Sequence, residues 1–362
     1  MTILILSGLA SLLTTPLLRR MAIALDITDK PSNRKVHDQP IPYLGGLAFH
    51  FSMTAALLYV FWKAPYILDA QISSQQLLAL YGVAMGFQLL GVVDDARPVS
   101  PKIKLLIQTI LAVILVRSGF VIEQVSNPFG GAIPFGWIGG LASVLWILTI
   151  VNAINFIDGL DGLAAGIVFF AALANFLIAL YPWQNFVCLI SLVLMGATIG
   201  FLPYNFSPAK IFMGDAGSLY LGVLLAGSSL VSNTKGATVM SLSLPLVILS
   251  IPLLDALLTV VRRGKRGMNL FTADRGHVHH RLLRLGFNVR QSVLSIYGLC
   301  FLLAMTAVLA DQLPDPFKMV FIFVFFAAVW WGFLIFSAIE SRVIGKNDST
   351  LNAESAKQPD SE

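Results

Sequence analysis

The sequence predicts an all-α, polytopic integral membrane protein of about eleven transmembrane helices with its reactive loops in the cytoplasm. Three observations carry that prediction. Of 362 residues, 57% are hydrophobic and only 12% charged, and the mean hydropathy is +0.80. A soluble core of this size does not need so little charge. Apolar runs near the length of a bilayer span recur along the chain. Finally, the basic residues fall in alternate loops between those runs.

Taken in order, the runs lie at roughly 3–18, 44–62, 76–93, 103–121, 138–156, 163–181, 185–203, 217–232, 238–261, 292–311 and 317–338. The first is followed by Arg19 and Arg20, whereas a signal peptide carries its positive charge ahead of the apolar run. It is therefore read as an uncleaved span. Of the 24 lysines and arginines, all but Lys63, Arg117, Lys235 and Lys318 fall on one side of the alternation. The positive-inside bias places that side, and the C-terminus, in the cytoplasm, with the N-terminus outside. This topology accounts for the net charge of +5 without nucleic acid as a partner. Residues 1–344 read as one integral membrane domain, and the polar stretch 345–362 as a disordered cytoplasmic tail. Cys188 and Cys300 both lie in apolar runs and read as packing residues, not a disulfide or thiol site.

Every polar cluster falls in a loop assigned to the cytoplasm. The stretch Val151 to Gly166 (VNAINFIDGLDGLAAG) interrupts two apolar runs with Asn152, Asn155, Asp158 and Asp161. Asn152 and Asn155 would share one helix face. Asp158-Gly159 and Asp161-Gly162 read as tight turns, with Asp161 placed to cap the next helix. Oxygen-bearing side chains beside a helix N-terminus suit a metal ion and a phosphate, although two turn aspartates that break one helix and cap another would look the same. Asp94-Asp95 ends an apolar helix, where the macrodipole disfavours negative charge, and a cation such as Lys104 or a divalent metal would relieve their repulsion. Ser100-Pro101 then reads as a cap and first-turn pair. Asp215, in the segment Phe212-Met213-Gly214-Asp215, is a further carboxylate between two spans, and Phe212 beside a nucleotide site would offer a face for a base.

The largest inner loop carries eight basic residues and Asp274-Arg275-Gly276-His277-Val278-His279-His280. Headgroup anchoring would explain the basic charge alone. Three histidines without a nearby cysteine argue against zinc, and imidazoles with guanidiniums suit a pyrophosphate. Asp255 is a carboxylate within a span, either functional or reaching the inner interface near Arg262. An ion-coupled transporter would place its charges near the midplane and show repeats; the charges here sit at one face and no repeat is visible.

Together these segments resemble the polyprenyl-phosphate N-acetylhexosamine-1-phosphate transferases. The matching residues are Asp94-Asp95 with Lys104, Asn152…Asn155…Asp158-Gly-Leu-Asp161-Gly, Phe212-Met-Gly-Asp215 and His277-Val-His279-His280. The loop from Asp29 to His37, running into Pro42-Tyr-Leu-Gly45-Gly46, matches as well. The resemblance implies that a cytoplasmic UDP-sugar and a polyprenyl phosphate meet at the inner face of a bacterial plasma membrane. The lipid phosphate attacks the sugar-bearing phosphorus and UMP leaves. It implies Mg²⁺, with Mn²⁺ as a candidate substitute, held by Asn155 and Asp215. It implies that Asp94 or Asp95 orients or deprotonates the lipid phosphate and that Lys104 binds phosphate, with Asp158 in the same catalytic set. Asp161, Asn205 and Phe212 would contact the uridine, and Arg275, His277, His279 and His280 the diphosphate or sugar. The His-Val-His-His pattern resembles the branch that uses UDP-GlcNAc to begin O-antigen, teichoic acid or related glycans. The peptidoglycan branch, which transfers phospho-N-acetylmuramoyl-pentapeptide, typically shows three consecutive histidines and is the alternative. Transfer of another UDP-N-acetylhexosamine, and a homodimeric assembly, stay open.

Overall fold

The computed structural model describes residues 1–30, 39–63, 65, 72–126, 132–180, 184–232, 285–314, 317, 318, 320, 321 and 323–332. Among them, nine helices are α1 Thr2–Ala24, α2 Leu47–Lys63, α3 Ser74–Ala96, α4 Pro101–Arg117, α5 Trp137–Ile157, α6 Leu163–Leu180, α7 Asn185–Asn205, α8 Gly214–Ser232 and α9 Val289–Asp311. Seven of the described helices are long and apolar enough to cross a membrane; Leu47–Lys63 is a shorter apolar helix, as is a further one beyond those nine, Phe323–Gly332. The chain is thus a mostly helical, multi-pass membrane protein. The expected span at 238–261, Asp255, the basic loop with Arg275 and the histidines, and the tail at 345–362 lie outside the described residues.

Local sequence sets the helix starts. Ser73 accepts from the Gln76 N–H while Gln76 reaches back to the Ser73 N–H, a reciprocal cap that opens α3. Asn288 and Gln291 do the same for α9. Ser100 caps α4 with Pro101 in its first turn, as the sequence suggests. Among the described residues, two short hairpins accompany the helices. Thr28–Asp29 pairs antiparallel with Ile41–Pro42 (β1 and β2), and Gln124–Ser126 with Ala132–Pro134 (β3 and β4). Strands of two or three residues are too short to show an alternating pattern.

The bundle is assembled by small residues at helix crossings, where lipid offers no hydrophobic drive for helices to associate. Ser7, Ser11, Thr15 and Ala22 of α1 are buried. Ser7 and Ser11 lie against α7, where a Cβ on Gly196 or Gly200 would strike the α1 backbone at Leu4 or Gly8, and Ser7 also bonds Ser52 of α2. Of the seven described spans, α8 is the most enclosed. α3 and α5 pack along it, so closely that a Cβ on Gly222 of α8 would come within 2.7 Å of the Val151 Cα. The helix flanked on all sides is therefore the one whose first turn carries Asp215.

Candidate active site

The last turn of α3 meets the first turn of α8. Gly91 allows that approach, because a Cβ there would collide with the Asp215 carbonyl and the Ala216 nitrogen. Gly214 has φ +66° and no room for a Cβ against the Asp95 carboxylate. Asp95 then accepts the N–H of Asp215 at 2.8 Å and of Ala216 at 3.1 Å. Those are free donors of a helix N-terminus. Its charge, unfavourable at the end of its own helix, thereby sits at the favourable end of another.

Asp94 accepts the Val99 N–H at 2.6 Å and the Lys104 ammonium at 2.8 Å. Lys104 also donates to Oδ2 of Asp215. The other Asp215 oxygen accepts from Asn155 Nδ2 at 2.7 Å, and the same amide lies 2.9 Å from the Ser218 hydroxyl. Asn152, one turn before Asn155, donates to Gln108 at 3.0 Å. Four helices thus contribute Asp94, Asp95, Lys104, Asn155 and Asp215 to one hydrogen-bonded cluster. The Lys104, Asp94 and Asp215 side chains retain 15%, 17% and 26% exposure, so the cluster is sheltered but open at one end.

Asp158 ends α5 and begins a pair of turns that runs to Gly162, whose φ is +81°. Burial raises its pKa well above the carboxylate range, and the charges of Asp215, Asp95 and Asp161 raise it further. Asp161 differs from expectation: its carboxylate accepts from Ala209 N–H at 2.9 Å, pinning the turn to the segment after α7 instead of capping α6. Asn205 is 2% exposed. Its amide accepts from the Gly162 N–H and donates to the Ile211 carbonyl, both at 3.1 Å. That geometry makes it a strut for the turn.

Phe212 is half-buried beside the cluster, its N–H on the Pro42 carbonyl at 2.9 Å. Its ring centroid lies 5.9 Å from that of Tyr43, tilted 48°. Sequence reasoning gave Tyr43 no role. Burial pushes its phenol well above the ordinary value, with the charge of Asp29, a hydrogen bond to the same Asp29 and the charges of Asp95 and Asp158 adding to the effect. Its place in the Pro42-Tyr-Leu-Gly-Gly run was the one available signal. Gln108 and Ser218 were also missed as partners, since a lone polar residue in an apolar run does not announce what it faces.

Among the described residues, no three of His, Cys, Asp and Glu stand at metal-ligand spacing. The donor chemistry nevertheless fits a hard divalent cation: carboxylates and carboxamides converge, and both cysteines lie in helices elsewhere. In this arrangement Lys104 supplies the positive charge between Asp94 and Asp215.

This membrane-embedded fold, with a carboxylate cluster at one end, agrees with the sequence comparisons. Residues 45–233 match the family described as Glycosyl transferase family 4. The chain is 36% identical over 321 residues to a Bacillus subtilis (strain 168) protein named "Probable undecaprenyl-phosphate N-acetylglucosaminyl 1-phosphate transferase", covering 88% of this chain and 87% of that one. It is 34% identical over 305 residues to the decaprenyl-phosphate N-acetylglucosaminephosphotransferase of Mycolicibacterium smegmatis, covering 77% and 74%. It is also 30% identical over 307 residues to the undecaprenyl-phosphate alpha-N-acetylglucosaminyl 1-phosphate transferase of Yersinia pestis, covering 82% and 80%. The chain belongs to glycosyl transferase family 4, and it is a membrane-bound phosphotransferase.

Proposed function

We propose that this protein transfers N-acetylglucosamine 1-phosphate from UDP-GlcNAc to a polyprenyl phosphate, leaving UMP and a lipid-diphospho-sugar. The observation that carries the reading is the single cluster of Asp94, Asp95, Lys104, Asn155 and Asp215 drawn from α3, α4, α5 and α8. An oxygen of the lipid phosphate attacks the phosphorus bearing the sugar, and the bond from that phosphorus to the UMP oxygen breaks. Asp94, held by Lys104 and by the Val99 N–H, orients or deprotonates the attacking phosphate. Lys104 pairs with phosphate charge, and Asp95 keeps the first turn of α8 in place.

Asp215 and Asn155, with Asp158 nearby, would hold Mg²⁺; when bound, the ion offsets negative charge on the diphosphate as the bond breaks. Phe212 and Asp161 face the uridine, and Asn205 supports them from behind. Arg275, His277, His279 and His280 take the diphosphate or the sugar. In this reading the chain crosses the plasma membrane about eleven times, the cluster faces the cytoplasm, and 1–344 is the whole catalytic unit. The similarity to three proteins named for N-acetylglucosamine transfer favours that sugar over others.

Membranes containing the protein are expected to release UMP from UDP-GlcNAc only when polyprenyl phosphate and Mg²⁺ are both supplied, and to stop in EDTA. Undiminished release in EDTA, or release without the lipid phosphate, would overturn the reading. A panel of UDP-sugars with a lipid-extractable product separates GlcNAc from its rivals.

A further inference from the structure

The turn carrying Asp158 and Asp161 is gripped by a helix that lies outside the cluster. Tyr297, about two turns into α9, donates its hydroxyl to the Gly162 carbonyl at 2.5 Å. Asn205 accepts the N–H of the same residue, so Gly162 is held at both ends of its backbone unit. The Tyr297 ring fills a slot that depends on glycine: a Cβ on Gly166 would fall inside the ring, and one on Gly162 would lie 3.4 Å from the hydroxyl. Phe170 flanks the ring at 5.7 Å and Phe206 at 6.5 Å. Nearer the start of α9, Arg290 donates to the Ser207 carbonyl at 2.7 Å. That ties α9 to the segment whose Ala209 N–H binds Asp161.

We infer that Tyr297 is a positioning residue: through the Gly162 carbonyl it fixes the turn that carries Asp158 beside the cluster and Asp161 on the Ala209 N–H. Gly162 adopts a left-handed conformation between two helices, and the local backbone bonds of the turn, such as the Leu163 N–H on the Leu160 carbonyl at 3.0 Å, reach neither α7 nor α9. The Gly162 carbonyl also accepts the Gly166 N–H at 3.1 Å, so removing the hydroxyl leaves it paired within α6 but cuts its tie to α9 and lets the turn shift against that helix. Displacement of a reacting group by about 1 Å can cost on the order of 100-fold in rate. The catalytic half of this inference rests on the transferase reading; the hold on the turn does not.

The test is Tyr297→Phe in the full chain in membranes, which keeps the ring in its slot, with Gly166→Ala as an independent way of displacing the same ring. Expected are a fall in kcat of about tenfold per folded molecule, a smaller change in KM for UDP-GlcNAc, and faster hydrogen exchange at residues 159–163. The double variant is expected to be no worse than the poorer single one, because both act through one contact. Wild-type kcat with wild-type exchange in Tyr297→Phe overturns the inference, as does a lower unfolding temperature with kcat per folded molecule unchanged. If the wild type itself releases no UMP, the transferase reading has failed; the exchange measurement still decides whether Tyr297 holds the turn.

Discussion

The carboxylate of Asp95 serves as the N-terminal cap of a helix other than its own, accepting the backbone N–H of Asp215 at 2.8 Å. A residue in the last turn of α3 therefore also sets where α8 begins, and with it where the Asp215 side chain points. Asp95→Asn keeps an acceptor, but turns an NH₂ group toward a second backbone donor and removes the charge at the helix end. The expected cost is about 1 kcal/mol of stability, and UMP release should drop on the order of 100-fold as the electrostatics of the cluster change. Unfolding in detergent and a turnover assay on the same preparation check both. Turnover equal to wild type would remove the cluster from the chemistry.

Gly91 supplies a second way to separate α3 from α8. Its substitution by Ala places a methyl group on the Asp215 carbonyl and the Ala216 nitrogen, an overpacked contact expected to cost about 1–3 kcal/mol. The Asp95 cap would open with it, so activity should fall although no polar group has been touched. Gly82 lies on the same helix, and a Cβ there would meet nothing within 4 Å. Gly82→Ala should leave turnover intact and stability equal or up to ~1 kcal/mol higher. Equal behaviour of the two variants would refute the close approach.

Asp158 gives the protein a stability dependence on pH. Its pKa is raised in the folded state by burial, then by Asp215, Asp95 and Asp161. Above the ordinary carboxylate range the unfolded chain has already released this proton while the folded chain retains it. The unfolded state therefore binds fewer protons, and stability declines as pH rises through that window. Asp158→Asn removes the titration. The variant is expected to be inactive, to flatten this part of the pH profile, and to unfold at a higher temperature than wild type near neutral pH, a trade of function against stability. Midpoints measured across pH for both proteins decide it; parallel curves would show that Asp158 is not strained.

Much of this site was legible because membrane proteins segregate polarity. Asp94, Asp95, Asn155 and Asp215 interrupt runs that are otherwise apolar, so their oddity is visible without coordinates, and their alternation with the basic loops predicted a shared end. Their convergence is what the structure adds. What could not be read was which partner each group would choose. Asp161 looked like a cap for α6, since an Asp before an apolar run usually is one, yet it binds Ala209 forty-eight residues on. Asn205, which the resemblance implies as a uridine contact, bonds two backbone groups, and the sequence does not announce them. Tyr297 resembled any aromatic in a span until Gly162 and Gly166 were seen to make room for it. Long-range pairing of this kind leaves no periodic trace in a sequence.

The same contacts gather the cluster at one end of the bundle. The ends of α3, α5 and α7 meet the starts of α4, α6 and α8 there, through Asp95 on Asp215, Lys104 on Asp94 and Asn205 on Gly162. That end also carries Arg19, whose side chain donates to the Lys210 carbonyl, together with Arg97 and Lys102. A cytoplasmic location for these basic loops is the assignment the positive-inside bias favours. With Cys188 and Cys300 replaced by Ala, a single cysteine introduced at Lys346 should react with a membrane-impermeant maleimide only when the cytoplasmic face is exposed. One introduced at Lys235 should react from the opposite side. Labelling of both positions from the same side would break the alternation and move the carboxylate cluster away from any cytoplasmic sugar nucleotide.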